Sequence, residues 1–465
     1  MSVPLRRFLT IHYLQMKKIV LTFAALAATA TSFAGGLLTN TNQHAAFLRN
    51  PSRQAIIGIE GVYTNPAGVA FMPQGFHLGV TWQAAMQKRE LNVTNPLFGL
   101  NKDGLGMSRK FEGKATAPVI PSIQAAYVIN DKWSVSANFA VAGGGGKCEF
   151  DNGLPMFEEL VGGMLMQGIA TNPQLPAGSS LNQYSLTQSL TGEQYFYGLQ
   201  LGATYKVTDN FSVFGGVRGI LANCSYVGSI SNISGDVKLP AAAGGIVMPG
   251  VATFPDLSLD CEQNAVGFQP IIGANLKLGK LNIGAKYEFR AKINLENESN
   301  NSASLGAIAH PAVAVYADGA KVRSDIPALF TIGAQYEVTD NIHAMAGFNY
   351  YFDKDAKGSA TAVSDDTYEI TLGAEWDINE KWTVGLGGQR TQYGFADSDM
   401  TDTSFNISSY GLCVGGAYKF SEKLKVNFGY MHSFYDDHKF TNANKTACNY
   451  TRKNDVVGVS LDFKF

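Results

Sequence analysis

Three kinds of side chain in this sequence are able to do chemistry, and their spacing limits what that chemistry is. The seven histidines supply few general bases: His12, His44 and His77 lie early in the chain, and His310, His432 and His438 fall at or near expected loops. No Ser-His or Asp-His pair can be set on one rim from spacing alone. The five cysteines, Cys148, Cys224, Cys261, Cys413 and Cys448, follow no zinc or redox pattern, so no metal or cofactor is expected. After export they could form at most two bridges, and Cys224 and Cys261, which flank one long polar loop, are the expected pair. The third set is Lys286, Glu288, Arg290, Lys292 and Glu296, interleaved with apolar residues. Such cations can meet a carboxylate headgroup, but the glutamates among them point to salt bridges within a lumen. Binding and passage are expected, not catalysis.

The elements that hold these residues follow from period. In "LNIGAKYEFRAKINLE", Leu281, Ile283, Ala285, Tyr287, Phe289, Ala291, Ile293 and Leu295 alternate strictly with polar positions up to Glu296. Soluble strands usually run about five or six residues, so this reads as one long tilted strand with one face in lipid and one in a polar lumen. "IHAMAGFNYYF" from Ile342, "KWSVSANFAV" from Lys132 and "ALFTIGAQYEV" from Ala328 repeat the pattern. "KWTVGLGGQRTQY" is irregular, because following Trp382, Val384 and Leu386 outward also puts Arg390 outward. A bulge near Gly387 and Gly388, or an arginine reaching headgroups at the rim, would resolve it.

Tight polar turns occur at Asn130-Asp131, Thr208-Asp209-Asn210, Gly279-Lys280, Thr339-Asp340-Asn341, Asn379-Glu380-Lys381 and Ser421-Glu422-Lys423. Long connections at 147–193, 230–261 and 298–324 alternate with them. Short turns at one end and long loops at the other are the habit of bacterial outer-membrane barrels. The fold class expected is all-β, a transmembrane antiparallel barrel of about fourteen strands. The final "DVVGVSLDFKF" puts Val457, Val459, Leu461, Phe463 and Phe465 on one face and ends on an aromatic, like the signal read by barrel assembly machinery. Near-neutral charge without a basic block argues against a nucleic-acid partner. Past the start of the chain no run of about 18 apolar residues suggests a spanning helix.

That start, "MKKIVLTFAALAATATSFA" from Met16 to Ala34, has the lysines, short apolar core and small residues of a cleaved signal peptide. Residues 1–34 are therefore expected to be removed, with Met1 to Gln15 upstream of a second plausible start at Met16. The barrel is expected over 75–465. Between lies a segment, 35–74, without long alternation, which ends in "VYTNPAGVAFMPQG".

On these residues the chain resembles the long-chain fatty acid and hydrocarbon transporter family of the outer membrane, the FadL and TodX type. The family's Asn-Pro-Ala motif stands here as Asn65, Pro66 and Ala67, followed by Gly68; "DIPALFTIGAQYEVTDN" and "APVIPSIQAAYVINDKWSVSANFAVAGGGG" match further stretches in order, with Ile326 where the family has Leu. The resemblance implies that 35–74 is a hatch plugging the barrel. Pro66 would fix φ, Asn65 would bond nearby backbone, and Gly68 would tolerate an unusual dihedral. It also implies an apolar capture surface on the outer loops, for which Met156, Phe157, Leu160, Val161, Met164 and Leu165 of "LPMFEELVGGMLMQGIA" are candidates along one side of a short helix. The family's third strand is kinked, opening the wall sideways. Gly143, Gly144, Gly145 and Gly146 are candidates for that opening, though their late place reads more readily as a flexible start to an outer loop.

The function implied is passive uptake of hydrophobic small molecules, most of all long-chain fatty acids, with outer-membrane lipid and lipopolysaccharide as surroundings. A general porin, an adhesive or structural barrel, and an outer-membrane enzyme are the alternatives. A TonB-dependent receptor needs a larger plug and more strands.

Overall fold

The computed structural model describes Leu38 and residues 43–308, 311–358 and 364–465; the signal-like run Met16–Ala34 lies outside the described residues. Alternating side chains force extended, paired strands, and these close on themselves. The strands are β1 (Gly75–Thr94), β2 (Ser108–Val128), β3 (Trp133–Phe150), β4 (Ser180–Thr208), β5 (Phe211–Lys238), β6 (Val247–Thr253), β7 (Leu257–Leu278), β8 (Leu281–Glu288) and β9 (Asn294–Ser299). They continue with β10 (Lys321–Arg323), β11 (Ala328–Thr339), β12 (Ile342–Phe352), β13 (Thr367–Asp377), β14 (Trp382–Gln392), β15 (Ser409–Ser421), β16 (Leu424–Tyr435), β17 (His438–Thr441) and β18 (Ala447–Lys464). Every pairing is antiparallel to the sequence neighbour across the wall, and β1 pairs with β18, so the sheet is a closed barrel of 14 strands. The short β6, β9, β10 and β17 are extensions beyond the wall proper.

The expected tight turns all lie at one end, where Asn130 and Asn379 side chains accept from the backbone two and three residues ahead. At the other end the expected connections shorten, because β3, β4, β5 and β7 climb into them: 147–150, 180–193, 230–238 and 257–261 are strand. Outside, exposed apolar residues form a belt edged by aromatics. Trp133 lies against Tyr205 and Trp382 against Tyr418 at the turn end, and Tyr195 against Tyr197 and Phe348 against Tyr368 towards the loops, as expected at the two membrane interfaces.

Two expectations on strands need revision. The unbroken strand from Leu281 to Glu296 is two strands. β8 stops at Glu288, and after the break the faces exchange: Asn282, Lys286 and Glu288 are buried below it, whereas Ala291, Ile293 and Leu295 are buried above it. Lys292 and Glu296 therefore point outward. Around Arg390 no bulge exists, since β14 keeps one register against β13 and β15. Arg390 does point outward, lying over the Tyr410 ring at 4.2 Å and bonding Asp436 at 2.9 Å, so the rim arginine is the resolution found.

Candidate transport path

Residues 43–74 run as a compact chain with α1 (Ala45–Arg49), α2 (Gly61–Thr64) and a 3-10 turn at Pro66–Phe71. Their bonds reach inward-facing groups all round the wall. Gln43 bonds Val141 on β3, His44 bonds Asp462 on β18, and Arg49 bonds Glu375 on β13 and Asn427 on β16. Gln54 bonds Asn349 on β12, and the carbonyls of Ala55, Val62 and Ala67 accept from Asn282, Gln200 and Ser212 on β8, β4 and β5. Only a segment lying in the lumen can satisfy its backbone this way.

The Asn-Pro-Ala turn has a different logic from the expected one at Gly68, whose φ is ordinary. Asn65 Nδ2 donates to Ile56 O (3.1 Å) and to Asn275 Oδ1 (2.7 Å). A Cβ on Gly68 would meet that Nδ2 at 2.5 Å and Ile56 O at 2.9 Å, so close approach is what requires glycine. Pro66 opens the 3-10 turn, as its missing N–H allows.

The wall repeats the same device. Cβ atoms on Gly284, Gly347, Gly373, Gly387, Gly415 and Gly429 would collide with Gln54, Asn50, Pro51, Arg49 or Leu48. One inward glycine on each of β8, β12, β13, β14, β15 and β16 thus forms a bare backbone girdle around residues 48–54. "NIGAK", "MAGFN", "TLGAE" and "NFGYM" carry these glycines in matching places, a signal that single-strand patterning overlooks.

Two buried charge clusters lock the segment. Arg49 and Arg53 both meet Glu375, with Arg49 Nε at 2.5 Å. Higher up, Arg218 and Lys286 share Glu288, each at 2.6 Å, while Lys286 Nζ donates to Tyr63 O at 2.8 Å and stands 4.6 Å from the Tyr63 ring. Lys286 and Glu288 thus make the expected lumen salt bridge. Arg290 instead leaves the lumen and turns to Asp325 and Asp355 O. Immediately above Arg218 along β5 come Ile220, Ala222 and Tyr226, which with Phe196, Ile293, Leu295, Leu329 and Tyr351 form a buried apolar cluster joined by Leu38.

The mouth is roofed by α3 (Pro155–Thr171). Met156 and Phe157 pack with Phe98, Phe405 and Tyr450. Val161 and Leu165 are buried with Tyr184, Ile230 and Val237, where Phe157, Leu160 and Met164 also pack. The helix is apolar on more than one side, and its named residues fill the space between loops; Met166 is the one exposed large apolar side chain on it. Its carboxylates are buried too. Burial raises the Glu158 pKa against the pull of Arg109 at 3.3 Å, and Tyr184 OH donates to it at 2.8 Å. Glu159 accepts from Asn444 at 2.6 Å. Burial, helped by Glu159, pushes Asp402 up to about 6 although it accepts from Met156 N and Tyr450 OH.

Gly143 to Gly146 lie inside β3, not at a loop start. Thr116 pairs with Lys147 and Ser122 with Ala140, and between them β2 and β3 are unpaired. Pro118 and Pro121 stand there on β2 and have no N–H to donate. Gly144 (φ 70) and Gly146 (φ 95) take conformations suited to glycine, kinking the strand. Gln43 of the lumen segment bonds Val141 O at 2.8 Å and accepts from Ser122, so it sits across this seam.

All five cysteines are free thiols. Cys224 faces Gln263 and Cys261 faces Tyr226; this two-residue offset explains why the expected pair is not bridged. Histidines do pair with aspartates, His44 with Asp462 (2.8 Å), His432 with Asp455 (2.7 Å) and His438 with Asp397 (3.0 Å), but at separate places and with no serine hydroxyl bonded to any among the described residues.

A closed barrel with an apolar belt, a filled lumen and a roofed mouth defines an outer-membrane channel. Residues 188–465, well over half of the chain, match the profile described as outer membrane protein transport protein (OMPP1/FadL/TodX), and the chain belongs to that family, whose barrels lie in the bacterial outer membrane. Solved structures agree in fold. A FadL homologue of Pseudomonas aeruginosa aligns with TM-score 0.65 at 18% identity, covering 92% of this chain and 100% of that one. The P. putida toluene transporter TodX aligns with TM-score 0.58 at 13% identity, covering 95% and 99%. The Ralstonia pickettii toluene transporter TbuX gives 0.52 at 13% identity, covering 96% and 100%. No curated protein matches the chain.

Proposed function

We propose that this hydrophobic-compound channel passively admits long-chain fatty acids. The observation carrying the choice over uncharged hydrocarbons is the charge cluster beneath the apolar one: two cations, Arg218 and Lys286, against one carboxylate, Glu288. Its surplus positive charge suits an anionic headgroup whose tail lies against Ile220, Phe196 and Leu295 of the apolar cluster. The roof helix that carries Met156, Phe157, Leu160, Met164 and Leu165 covers the entry, and these side chains meet the substrate when the loops part. Residues 35–74 act as a hatch, with Asn65 to Gly68 as its rigid turn. Release of Gln43 from Val141 frees the seam at Gly143 to Gly146 for sideways exit into the membrane. The chain is exported through a cleaved signal and assembled from its C-terminal aromatic, and it has no catalytic role.

The test is uptake of labelled oleate, toluene and a small sugar by an outer-membrane-competent host, with the intact chain and with Lys286→Gln. Oleate uptake that falls in the variant while toluene uptake is unchanged is the expected result. Toluene entry alone makes the chain a hydrocarbon channel, and sugar entry alone makes it a porin.

A further inference from the structure

On β1 the outward side chains from Phe76 through Val80 and Trp82 to Met86 are exposed and apolar. At about 3.4 Å per residue and a tilt near 40°, that stretch rises about 25 Å, the height of a lipid-facing band. The next outward residue is Lys88. It stands opposite Lys453 of β18 on one side and Lys114 of β2 on the other, so three ammonium groups share one row on strands about 4.8 Å apart, a row that ends on Glu149 of β3 opposite Lys114. Glu90 and Glu112 reach Lys88 (2.8 and 3.1 Å) and Lys110 (3.2 and 2.7 Å), and Glu149 is taken by Lys147 at 2.5 Å. Asp455 is held by His432 at 2.7 Å. Lys114 and Lys453 have no carboxylate within 4.0 Å among the described residues. Further up, Lys439 and Lys110 flank Asn449 and Asn92 along a groove of about 680 Å³.

Like charges set directly opposite destabilise a sheet, so such a row calls for an anion. The wall about a quarter-turn away has the reverse character: on β4, β5 and β7, Glu193, Ser225 and Glu262 share one outward row above the belt, with Lys147 of β3 at its near end, and Asp260 follows beyond. We propose that the β18–β1–β2 face binds the phosphate groups of lipid A, a phosphorylated glycolipid of the outer leaflet. The lysines stand where the apolar belt ends and headgroups begin, and the asparagines of the groove offer donors for sugar hydroxyls. The site is independent of what passes through the lumen.

The experiment uses full chain purified from outer membranes and exchanged into detergent, with retained lipid A measured by mass spectrometry. Rebinding of bisphosphorylated and dephosphorylated lipid A follows. Wild type is expected to retain lipid A, and the Lys88→Gln, Lys114→Gln, Lys453→Gln triple variant to hold it about tenfold or more weakly. The corresponding triple arginine variant should restore binding, and dephosphorylated lipid A should bind wild type as poorly as the phosphorylated form binds the glutamine variant. Equal retention by the glutamine variant, equal binding of dephosphorylated lipid A, or full displacement by inorganic phosphate overturns the proposal. Should the glutamine variant fail to fold, as read from heat-dependent gel mobility, the dephosphorylated lipid decides on wild type alone.

Discussion

Below the outer aromatic ring this barrel is polar inside and apolar outside; above it the wall is the other way round. In the belt, Leu372, Leu386 and Val266 face out while Arg218, Lys286, Glu288 and Glu375 are buried within. In the cap, Tyr226, Ile230, Ile293 and Leu295 are buried within, and Ser225, Asp260 and Glu296 face out. The same strands cross both regions. The solvent outside changes from lipid to water, so the free-energy gain from hiding apolar surface changes side. In β8 and β9 the reversal is made by a break just past Phe289; in β5 it needs no break, because the inward residues change from polar to apolar between Arg218 and Ile220.

The two regions should respond oppositely to perturbation. The largest effect is expected from Arg49→Ala with Arg53→Ala, which leaves Glu375 buried and unpaired; loss of about 3–5 kcal/mol of docking should expose residues 43–60 to protease and raise single-channel conductance. Next, Leu165→Ala in the roof should cost about 2–5 kcal/mol locally, read as faster hydrogen exchange in α3 with unchanged barrel mobility on gels. A paired charge insertion tests the inversion directly. Leu372→Arg, in the belt, should cost about 2–4 kcal/mol of barrel stability in bilayers, whereas Val227→Arg, equally outward but above the ring, should stay within about 0.5 kcal/mol. If both are equally harmful, the boundary is misplaced. Gly373→Ala, which would press a methyl on Asn50, should cost about 1–3 kcal/mol, seen as partial loss of protease protection at the segment.

The smallest effect is a pH response of the cap. Burial raises Asp402 from 3.8 to about 6, so the folded cap holds a proton that the unfolded loop releases between those values. Its stabilising contribution is full below about 3.8 and is lost as pH rises through about 6. Hydrogen exchange in the 400–407 loop should therefore quicken across that window in wild type and much less in Asp402→Asn, in which Glu158 of α3, also raised by burial, still titrates.

Strict alternation and turn chemistry made the barrel, its strand number and its polarity of ends legible in the chain, because a strand's faces are fixed by period two. Even there, the run from Leu281 to Glu296 shows the limit: the apolar residues keep one parity throughout, and nothing in that parity says that the backbone turns over at Phe289. The Asn-Pro-Ala turn was legible as a turn, and "GGGG" as a weak point in pairing. Single-strand reading passed over Arg49 and Arg53 on Glu375, the glycine girdle and the Gln43 contact with the seam, because each joins residues about a hundred or more positions apart or one residue on each of several strands. By itself the sequence determined which side chains alternate along each strand and where the chain reverses, since both are local consequences of side-chain type. Only the tertiary structure decided which inward glycine meets which residue of the lumen segment, which carboxylate two arginines share, and which lysines align in one outward row, because register and closure are properties of the whole sheet.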